Sequence, residues 1–288
     1  MKNVFLPNSI EEFRQIWSAV PDAVLMAGGT DLLVSLREGK TKVKNIISLE
    51  RISELRHIDC SGGEILIGSL VTHQQILDAP IIAEALPVLR QAASLLGSPA
   101  VRHMGTIGGN ICTASPAADL LPALYLLDAR LELHTERTKR TVPITDFIIG
   151  PRQTSLSEGE FLYRIRVPIP VPNTRAYYFK VGQRKALAIT IASMAALLRL
   201  DTDMTVLEGR FSWGSVGPTV LRFPETEKIL QNQKLSEPLL KEIGEKSARL
   251  TEPISDIQAS ADYRRMLVSN FPLRLLQAEK YTGSNGKK

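Results

Sequence analysis

The sequence predicts an α+β protein, and three observations support this fold class. The chain has 288 residues, which exceeds the length of one typical domain. An alternating strand pattern at residues 161–168 runs into Pro168, Pro170 and Pro172, which together predict a stiff connector. Beyond this connector, strand patterns come first and helical patterns follow, as in an α+β module. These features predict three domains, at residues 1–57, 58–172 and 173–288.

Composition and charge exclude several classes of protein. Hydrophobic residues make up 44% of the chain and charged residues 23%, which is enough apolar material for a core. The formal net charge is +5, but the basic residues are scattered singly or in pairs, so no nucleic-acid partner is predicted. No apolar run reaches the length of a membrane span, and no signal-peptide pattern follows the N-terminus. We therefore predict a cytoplasmic protein without membrane insertion.

The two cysteines, Cys60 and Cys112, limit the redox chemistry of this chain. They exclude a disulfide-rich scaffold and fit a reducing compartment. An iron–sulfur cluster usually takes four thiolates, so any such cluster must be held by another polypeptide. Cys112 is expected to be buried as a small hydrophobic residue.

The first predicted domain is a small α/β unit. Residues 4–6 have the pattern of a strand, and Ser9 with Glu12 forms a capping-box pattern before a first helix. Further strands are predicted at residues 23–26 and 45–49.

The second predicted domain alternates strands and helices around a glycine-rich segment. Thr72 is in position to cap a helix. An apolar run after Asp119 predicts a buried helix. The predicted elements are a hairpin turn at 61–63, strands at 64–68, 130–134 and 161–168, and helices at 73–79, 80–96 and 120–129.

The third predicted domain places a sheet before helices. Its strands are predicted at 176–181, 189–200 and 205–213, and its helices at 226–231, 237–248 and 261–281. Residues 283–288 are expected to form a frayed tail.

The glycine-rich segment spans residues 102–119 and combines three glycines with small polar side chains. Glycine lets the backbone approach a ligand closely, and successive N–H groups can form a concavity that binds anions. Such a segment is expected to form a loop and suits a phosphate-bearing ligand.

Another segment of the same kind, residues 27–31, directly follows a predicted strand. Two such segments could hold a diphosphate from both sides. Neither matches the P-loop, which needs a Lys-Ser or Lys-Thr after its glycines, or the Gly-x-Gly-x-x-Gly dinucleotide fingerprint. On these residues alone, ordinary turns are an equally good explanation.

Three motifs together resemble one protein family. These are Ala27-Gly28-Gly29-Thr30-Asp31-Leu32, Gly105-Thr106-Ile107-Gly108-Gly109-Asn110 and Ala114-Ser115-Pro116-Ala117-Ala118-Asp119. In sequence and order they are similar to the FAD-binding medium subunit of the molybdenum hydroxylases, such as xanthine, carbon monoxide and nicotinate dehydrogenases. The resemblance implies a two-lobed FAD-binding domain of the vanillyl-alcohol-oxidase-like (PCMH) type. A β-sheet and helical-bundle domain of the CO dehydrogenase flavoprotein type would follow it.

The resemblance also implies which residues bind the cofactor. The two glycine segments would hold the FAD diphosphate, through Leu25, Met26, Ala27, Gly28, Gly29, Thr30, Asp31 and Leu32 and through Thr106, Ile107, Gly108, Gly109 and Asn110. Asp119 would bind a ribityl or ribose hydroxyl, although it could instead cap the helix that follows it. Leu96 and Leu162 would contact FAD through apolar or backbone groups, although both patterns also fit core residues. Lys180 would lie near the flavin and favour its anionic reduced form, although a surface lysine is the alternative.

The function implied is electron transfer, with no catalytic residue of the hydroxylation and no metal ligand in this chain. Electrons would pass from [2Fe-2S] clusters on a small partner subunit through FAD to NAD or another acceptor. A large partner subunit would carry the molybdenum cofactor, in a dimer of heterotrimers. The loop at Gln183, Arg184, Lys185 and Ala186 would lie at the outer edge of the flavin. The chain lacks the cysteine-bearing insertion of the 4-hydroxybenzoyl-CoA reductase branch.

Two other functions stay open from the sequence. One is a stand-alone FAD oxidase or dehydrogenase of the vanillyl-alcohol-oxidase-like fold, which would need its own substrate pocket and base. The other is a nucleotide-binding or scaffolding subunit without redox activity. The four histidines are scattered and predict no catalytic triad. His134 is expected to face solvent or its strand neighbours, and His103 receives no role.

Overall fold

The structure of the protein, a computed structural model, describes residues 3–184 and 188–285. The chain divides into two compact units. Unit 1 comprises Met1–Ala85, Leu96–Ser115 and Leu127–Ile169, and unit 2 comprises Leu86–Leu95, Pro116–Leu126 and Pro170–Lys288. The finer division at 1–57, 58–172 and 173–288 remains a prediction.

Strands and helices alternate through unit 1, whereas the last third of the chain has strands before helices. The strands are β1 (Asn3–Phe5), β2 (Val24–Met26), β3 (Asn45–Ser48), β4 (Ile58–Ser61), β5 (Glu64–Gly68), β6 (Arg130–His134), β7 (Lys139–Pro143), β8 (Ile148–Gly150), β9 (Gln153–Thr154), β10 (Phe161–Pro168), β11 (Thr174–Gly182), β12 (Thr190–Leu200) and β13 (Val206–Gly214). The helices are α1 (Ile10–Ala19), α2 (Leu32–Arg37), α3 (His73–Asp78), α4 (Pro80–Ala85), α5 (Pro87–Ser94), α6 (Pro99–Met104), α7 (Ile107–Thr113), α8 (Leu120–Leu126), α9 (Ile144–Phe147), α10 (Pro224–Leu230), α11 (Glu237–Leu250), α12 (Ala261–Asn270) and α13 (Arg274–Asn285). Short 3-10 turns occur at Ser53–Leu55 and Phe271–Leu273.

Among its described residues, unit 1 has two larger sheets and the two-stranded sheet β8-β9. The first is parallel, in the order β1-β3-β2, and the second is antiparallel, in the order β4-β5-β10-β6-β7. Helix α1 begins as predicted, because the Ser9 side chain accepts a hydrogen bond from the Glu12 N–H at 3.1 Å. Its buried Phe13 packs edge-to-face on Phe161 of β10, with ring centroids 5.0 Å apart. Aromatic packing thus joins α1 to the second sheet.

Strand β10 contains a bulge where its pairing with β6 shifts between Leu162 and Arg164. The ring of the intervening Tyr163 stacks on His134, with centroids 4.1 Å apart. His134 is buried, and its Nε2 lies 2.7 Å from Glu132 Oε1. Of the two expected surroundings of His134, solvent or its strand neighbours, the structure shows the second, because rings from β10 cover that side of β6. The expectation of contact with strand neighbours is confirmed.

Unit 2 contains the antiparallel sheet β11-β12-β13 and the helices that follow it. Its core is formed by Met194, Phe211 and Trp213 from the sheet together with Leu240 of α11 and Val268 of α12. Helices α5 and α8 also belong to this unit. Every residue of α8 is buried, as the apolar run after Asp119 predicted.

Two helices predicted as continuous are interrupted at prolines. The predicted helix 80–96 is divided into α4 and α5 by Pro87, and the predicted helix 261–281 is divided into α12 and α13 around Pro272. Proline has no N–H to donate and its ring displaces the carbonyl of the preceding turn. Both signals were present in the sequence.

The glycine-rich segment was expected to be a loop, but it forms the end of α6 and the whole of α7. The Ser98 side chain caps α6 by accepting from the Val101 N–H, and the Thr106 side chain caps α7 by accepting from the Gly109 N–H. Gly108 and Gly109 are therefore helical, despite the low helix propensity of glycine. The caps compensate for that propensity.

Two expectations fall partly outside the described residues. In the expected tail, residues 283–285 belong to α13, and residues 286–288 are outside the described part of the chain. In the expected flavin-edge loop, Lys185 and Ala186 are likewise outside it. Within residues 3–184 and 188–285, no helix is both long and apolar enough to span a membrane.

Candidate functional site

The first glycine segment, residues 27–32, follows the end of β2 and packs directly against the junction of α6 and α7. The second glycine segment is residues 106–110. A Cβ atom on Gly28 would overlap the carbonyl group of Met104. Gly29 has φ +71°, in the left-handed region that favours glycine. On the other side, an ideal Cβ at Gly109 would lie 3.9 Å from the Ala27 Cβ. The two glycine segments of unit 1 thus pack together, backbone against backbone.

The first segment has a row of unused backbone donors. In the described part of the chain, no group accepts a hydrogen bond from the backbone N–H of residues 28–32. The next amide, of Leu33, donates to the Gly29 carbonyl at 3.0 Å. Successive unpaired N–H groups can form a concavity that binds anions. This row fits a phosphate group.

In the second segment, residues 106–110, the backbone donors after Thr106 are already occupied. The Ile107 N–H donates to the Val71 carbonyl and the Gly108 N–H to the Ser69 carbonyl, both at 2.9 Å. The amides of Gly109 and Asn110 donate to Thr106. The second segment therefore supports the first and offers side chains, instead of adding a second row of N–H groups.

Two buried side-chain oxygens at the site have no hydrogen-bond partner. They are Oδ1 of Asn110, on α7, and the hydroxyl of Ser48, which is paired in register with Met26 at the end of β3. A buried polar group without a partner costs free energy, and it is explained when a ligand supplies the partner. Ligands of parallel sheets bind at the carboxyl ends of the strands, where Ser48 lies. The site thus fits a phosphate-bearing ligand that also carries hydroxyl groups.

A buried histidine supports the junction of the two glycine segments. His73 begins α3, which is capped by the reciprocal Thr72–Gln75 box. Its N–H donates to the Gly105 carbonyl at 3.0 Å, and its ring lies directly under Gly105. Burial lowers the pKa of His73 to about 4, so the ring is neutral at pH 7.

This histidine predicts a loss of stability in acid. An unfolded chain protonates histidine near its ordinary pKa of 6.5, whereas the folded chain resists protonation down to about pH 4. Unfolding therefore takes up a proton in this range, and between pH 7 and pH 5 His73 alone lowers the free energy of unfolding by about 2 kcal/mol. In His73→Gln, the free energy of unfolding measured by urea denaturation should therefore fall by about 2 kcal/mol less between pH 7 and pH 5 than it does in the parent. Equal pH dependence of the free energy of unfolding in His73→Gln and the parent would contradict the assignment.

An arginine that sequence reasoning missed lies beside the first segment. Arg152 is at the tip of the β8–β9 hairpin, and its Nη1 is 3.3 Å from Asp31 Oδ2. Its backbone N–H donates to the Ala114 carbonyl at the end of α7, at 2.9 Å. One residue of unit 1 therefore contacts both glycine-rich segments.

Unit 2 holds two further predicted residues in a compact buried group. The Asp119 carboxylate accepts from Lys180 Nζ at 2.8 Å and from the Thr190 hydroxyl at 2.6 Å. Lys180 also donates to the Leu95 carbonyl at 3.0 Å, and the Tyr178 hydroxyl donates to the Asp119 carbonyl. No backbone N–H of α8 donates to this carboxylate in the described part of the chain, so the capping alternative receives no support.

Burial has the largest effect on the pKa values of Asp119 and Tyr178. Desolvation raises the pKa of Asp119, and the Lys180 ammonium and the two hydrogen bonds act against that rise. Desolvation also raises the pKa of Tyr178 well above its ordinary value. Lys180 is thus engaged by Asp119 and is not a surface lysine.

The two other predicted FAD contacts are buried leucines. Leu96 and Leu162 are buried in unit 1, and the Leu96 carbonyl accepts from Arg102 Nη1 at 3.1 Å. The expected burial of Cys112 is only partial, and desolvation raises the pKa of its thiol to about 12. Among the described residues, no three His, Cys, Asp or Glu side chains are grouped so that they could hold a metal ion.

Comparison with known proteins places the chain in a class of flavin-binding oxidoreductase subunits. Residues 1–170 match the family described as the FAD binding domain in molybdopterin dehydrogenase. Residues 177–278 match the CO dehydrogenase flavoprotein C-terminal domain. The chain therefore belongs to the family of FAD-binding medium subunits of the xanthine, CO and nicotinate dehydrogenase type.

Individual relatives agree with this family over nearly the whole chain. The xanthine dehydrogenase FAD-binding subunit of Escherichia coli O157:H7 is 33% identical over 269 residues, covering 93% of this chain and 91% of that protein. The carbon monoxide dehydrogenase medium chain of Hydrogenophaga pseudoflava is 32% identical and covers 89% of each chain. The crystal structure of quinoline 2-oxidoreductase from Pseudomonas putida 86 has a chain that superposes with a TM-score of 0.91 at 27% identity, covering 96% of both chains. The predicted family and fold class are confirmed.

Proposed function

We propose that this chain transfers electrons within a heteromeric molybdenum hydroxylase. It would take them from [2Fe-2S] clusters of a small partner subunit, pass them through FAD, and deliver them to NAD or another acceptor. A large subunit would carry the molybdenum cofactor, in a cytoplasmic dimer of heterotrimers. Support comes from family membership and from relatives that are named as FAD-binding subunits or medium chains.

The row of unpaired N–H groups at residues 28–32 carries the cofactor assignment. Gly28 and Gly29 permit the close approach of a diphosphate, and Thr30 adds a hydroxyl donor. The unpartnered oxygen of Asn110 accepts from a ribityl or ribose hydroxyl; the amide rotated by half a turn would donate instead. Uncharged donors suit a partly buried diphosphate, since a lysine would need more space and its own solvation.

FAD supplies chemistry that no side chain of this protein has, since it accepts electrons singly and releases them in pairs. The chain's own residues would bind FAD, orient it and shield it from its surroundings. The segment after β2 is held against the junction of α6 and α7, because Gly28 lies against the Met104 carbonyl. Asp119 and Lys180 of unit 2 remain proposed ligands, for a cofactor hydroxyl and for the flavin respectively.

Purification of the full chain with its partner subunits tests this function. We expect flavin absorption bands near about 370 and 450 nm, one FAD per chain, and co-purification with an iron–sulfur and a molybdenum subunit. A colourless chain that takes up no FAD on reconstitution would contradict cofactor binding. Oxidation of an organic substrate by the isolated chain would instead favour a stand-alone oxidase.

A further inference from the structure

The proposed diphosphate site has an electrostatic difficulty. Residues 27–32 and residues 106–110 contain no lysine or arginine, and they offer only uncharged groups and one acid. That acid, Asp31, is part of the segment whose N–H groups are unpaired. A carboxylate within a few ångströms of a doubly anionic diphosphate opposes its binding. Something must neutralise Asp31 if the site is to work.

Arg152 is placed to neutralise it. Its Nη1 lies 3.3 Å from Asp31 Oδ2 and its Nη2 lies 3.5 Å from Oδ1, so the two planar groups face each other edge to edge. This fork-to-fork geometry is the one in which a guanidinium recognises a carboxylate. The arginine side chain is 63% exposed and that of Asp31 48% exposed, so the pair contributes little to folding.

The backbone around Arg152 is held in an uncommon conformation. Arg152 has φ 58° and Ala114, which accepts its N–H bond, has φ 47°; neither is glycine. Left-handed backbone at non-glycine residues is uncommon, and where it persists the surrounding structure enforces it. Here it turns the tip of the β8–β9 hairpin so that the main chain of Arg152 contacts the end of α7 while its side chain reaches Asp31.

We infer that Arg152 is a positioning residue for the cofactor diphosphate, acting through Asp31. Its guanidinium cancels the charge of that carboxylate, so the phosphate oxygens meet unpaired N–H groups in a segment without net negative charge. It also ties the first glycine segment to α7, which carries Asn110. This inference rests on the proposed binding of FAD.

The test is a titration of the flavin-free full chain with FAD, in which the quenching of flavin fluorescence measures binding. Arg152→Asn removes the charge and keeps a residue that tolerates positive φ. It should weaken FAD binding about 5- to 10-fold at low ionic strength and about 2-fold in 0.5 M NaCl, since salt screens the exposed Asp31 charge. Arg152→Lys, which keeps the positive charge, should stay within about 2-fold of the parent.

The double variant Asp31→Asn/Arg152→Asn separates this role from others. If Arg152 acts by neutralising Asp31, the double variant, which keeps the backbone N–H of residue 31, recovers most of the FAD affinity lost in Arg152→Asn, because there is no charge left to neutralise. Weak binding that Asp31→Asn does not rescue would overturn the inference, as would unchanged binding by Arg152→Asn. Failure of the parent chain itself to bind FAD would overturn the proposed function instead, and its melting temperature would show whether the chain is folded.

Discussion

Gly28→Ala should strongly weaken FAD binding while the chain stays folded. The added Cβ meets the carbonyl group of Met104 and lies 3.1 Å from the Gly105 nitrogen, and all of these are backbone atoms that cannot rotate away. The two glycine segments must then separate, which moves the row of N–H groups away from Asn110. We expect FAD affinity to fall at least about 10-fold and the free energy of unfolding to fall by about 1–3 kcal/mol.

Gly62→Ala is the matched control for this prediction. Gly62 has φ +61° in the β4–β5 turn, and a Cβ there would have open space. The substitution costs stability through the positive φ, by about 1 kcal/mol, but touches nothing near the glycine segments. Equal loss of FAD in both variants would mean that retention follows stability, and the proposed packing of the segments would then have no special role.

Lys180→Met should produce the largest loss of stability in unit 2. It leaves the Asp119 carboxylate buried, with the Thr190 hydroxyl still donating but without a counter-charge. Breaking a buried ion pair by removing one partner costs about 3–5 kcal/mol, because an uncompensated charge stays in the interior. Chemical denaturation of the flavin-free chain measures this loss directly.

Two further measurements make the Lys180 prediction specific. Lys40→Met removes a lysine whose ion pair with Glu38 is largely exposed, and it should leave stability nearly unchanged. Adding Asp119→Asn to Lys180→Met should recover part of the loss, since the buried charge is gone. A loss in Lys180→Met no larger than that in Lys40→Met would contradict the role of the buried pair.

Local signals in the sequence predicted much of the fold. Ser9 and Thr72 cap their helices as expected, and the apolar run after Asp119 forms the buried α8. These features depend on residues a few positions apart, which is the range over which capping and periodicity act. The glycine-rich segment was misjudged because its composition disfavours helix, while the caps at Ser98 and Thr106 decide in favour of it.

What sequence reasoning missed depends on contacts between distant segments. The contact of Gly28 with Met104 and the pairing of Arg152 with Asp31 join parts of the chain that no local pattern relates. The neutral state of His73 follows from burial, which composition does not reveal. The acceptors of the Ile107 and Gly108 N–H groups, the carbonyls of Val71 and Ser69, are likewise distant in the sequence, so no local pattern shows that these N–H groups are occupied.

A crystal structure of the full chain with FAD tests the central claim most directly. The account predicts diphosphate oxygens within about 3 Å of the backbone nitrogens of residues 29–32, with a ribityl or ribose hydroxyl on the Asn110 side chain. The row of N–H groups at residues 28–32 should be the main anion site, and the amides of Ile107 and Gly108 should keep their bonds to Val71 and Ser69. A diphosphate bound elsewhere, with residues 28–32 still unpaired, would contradict it.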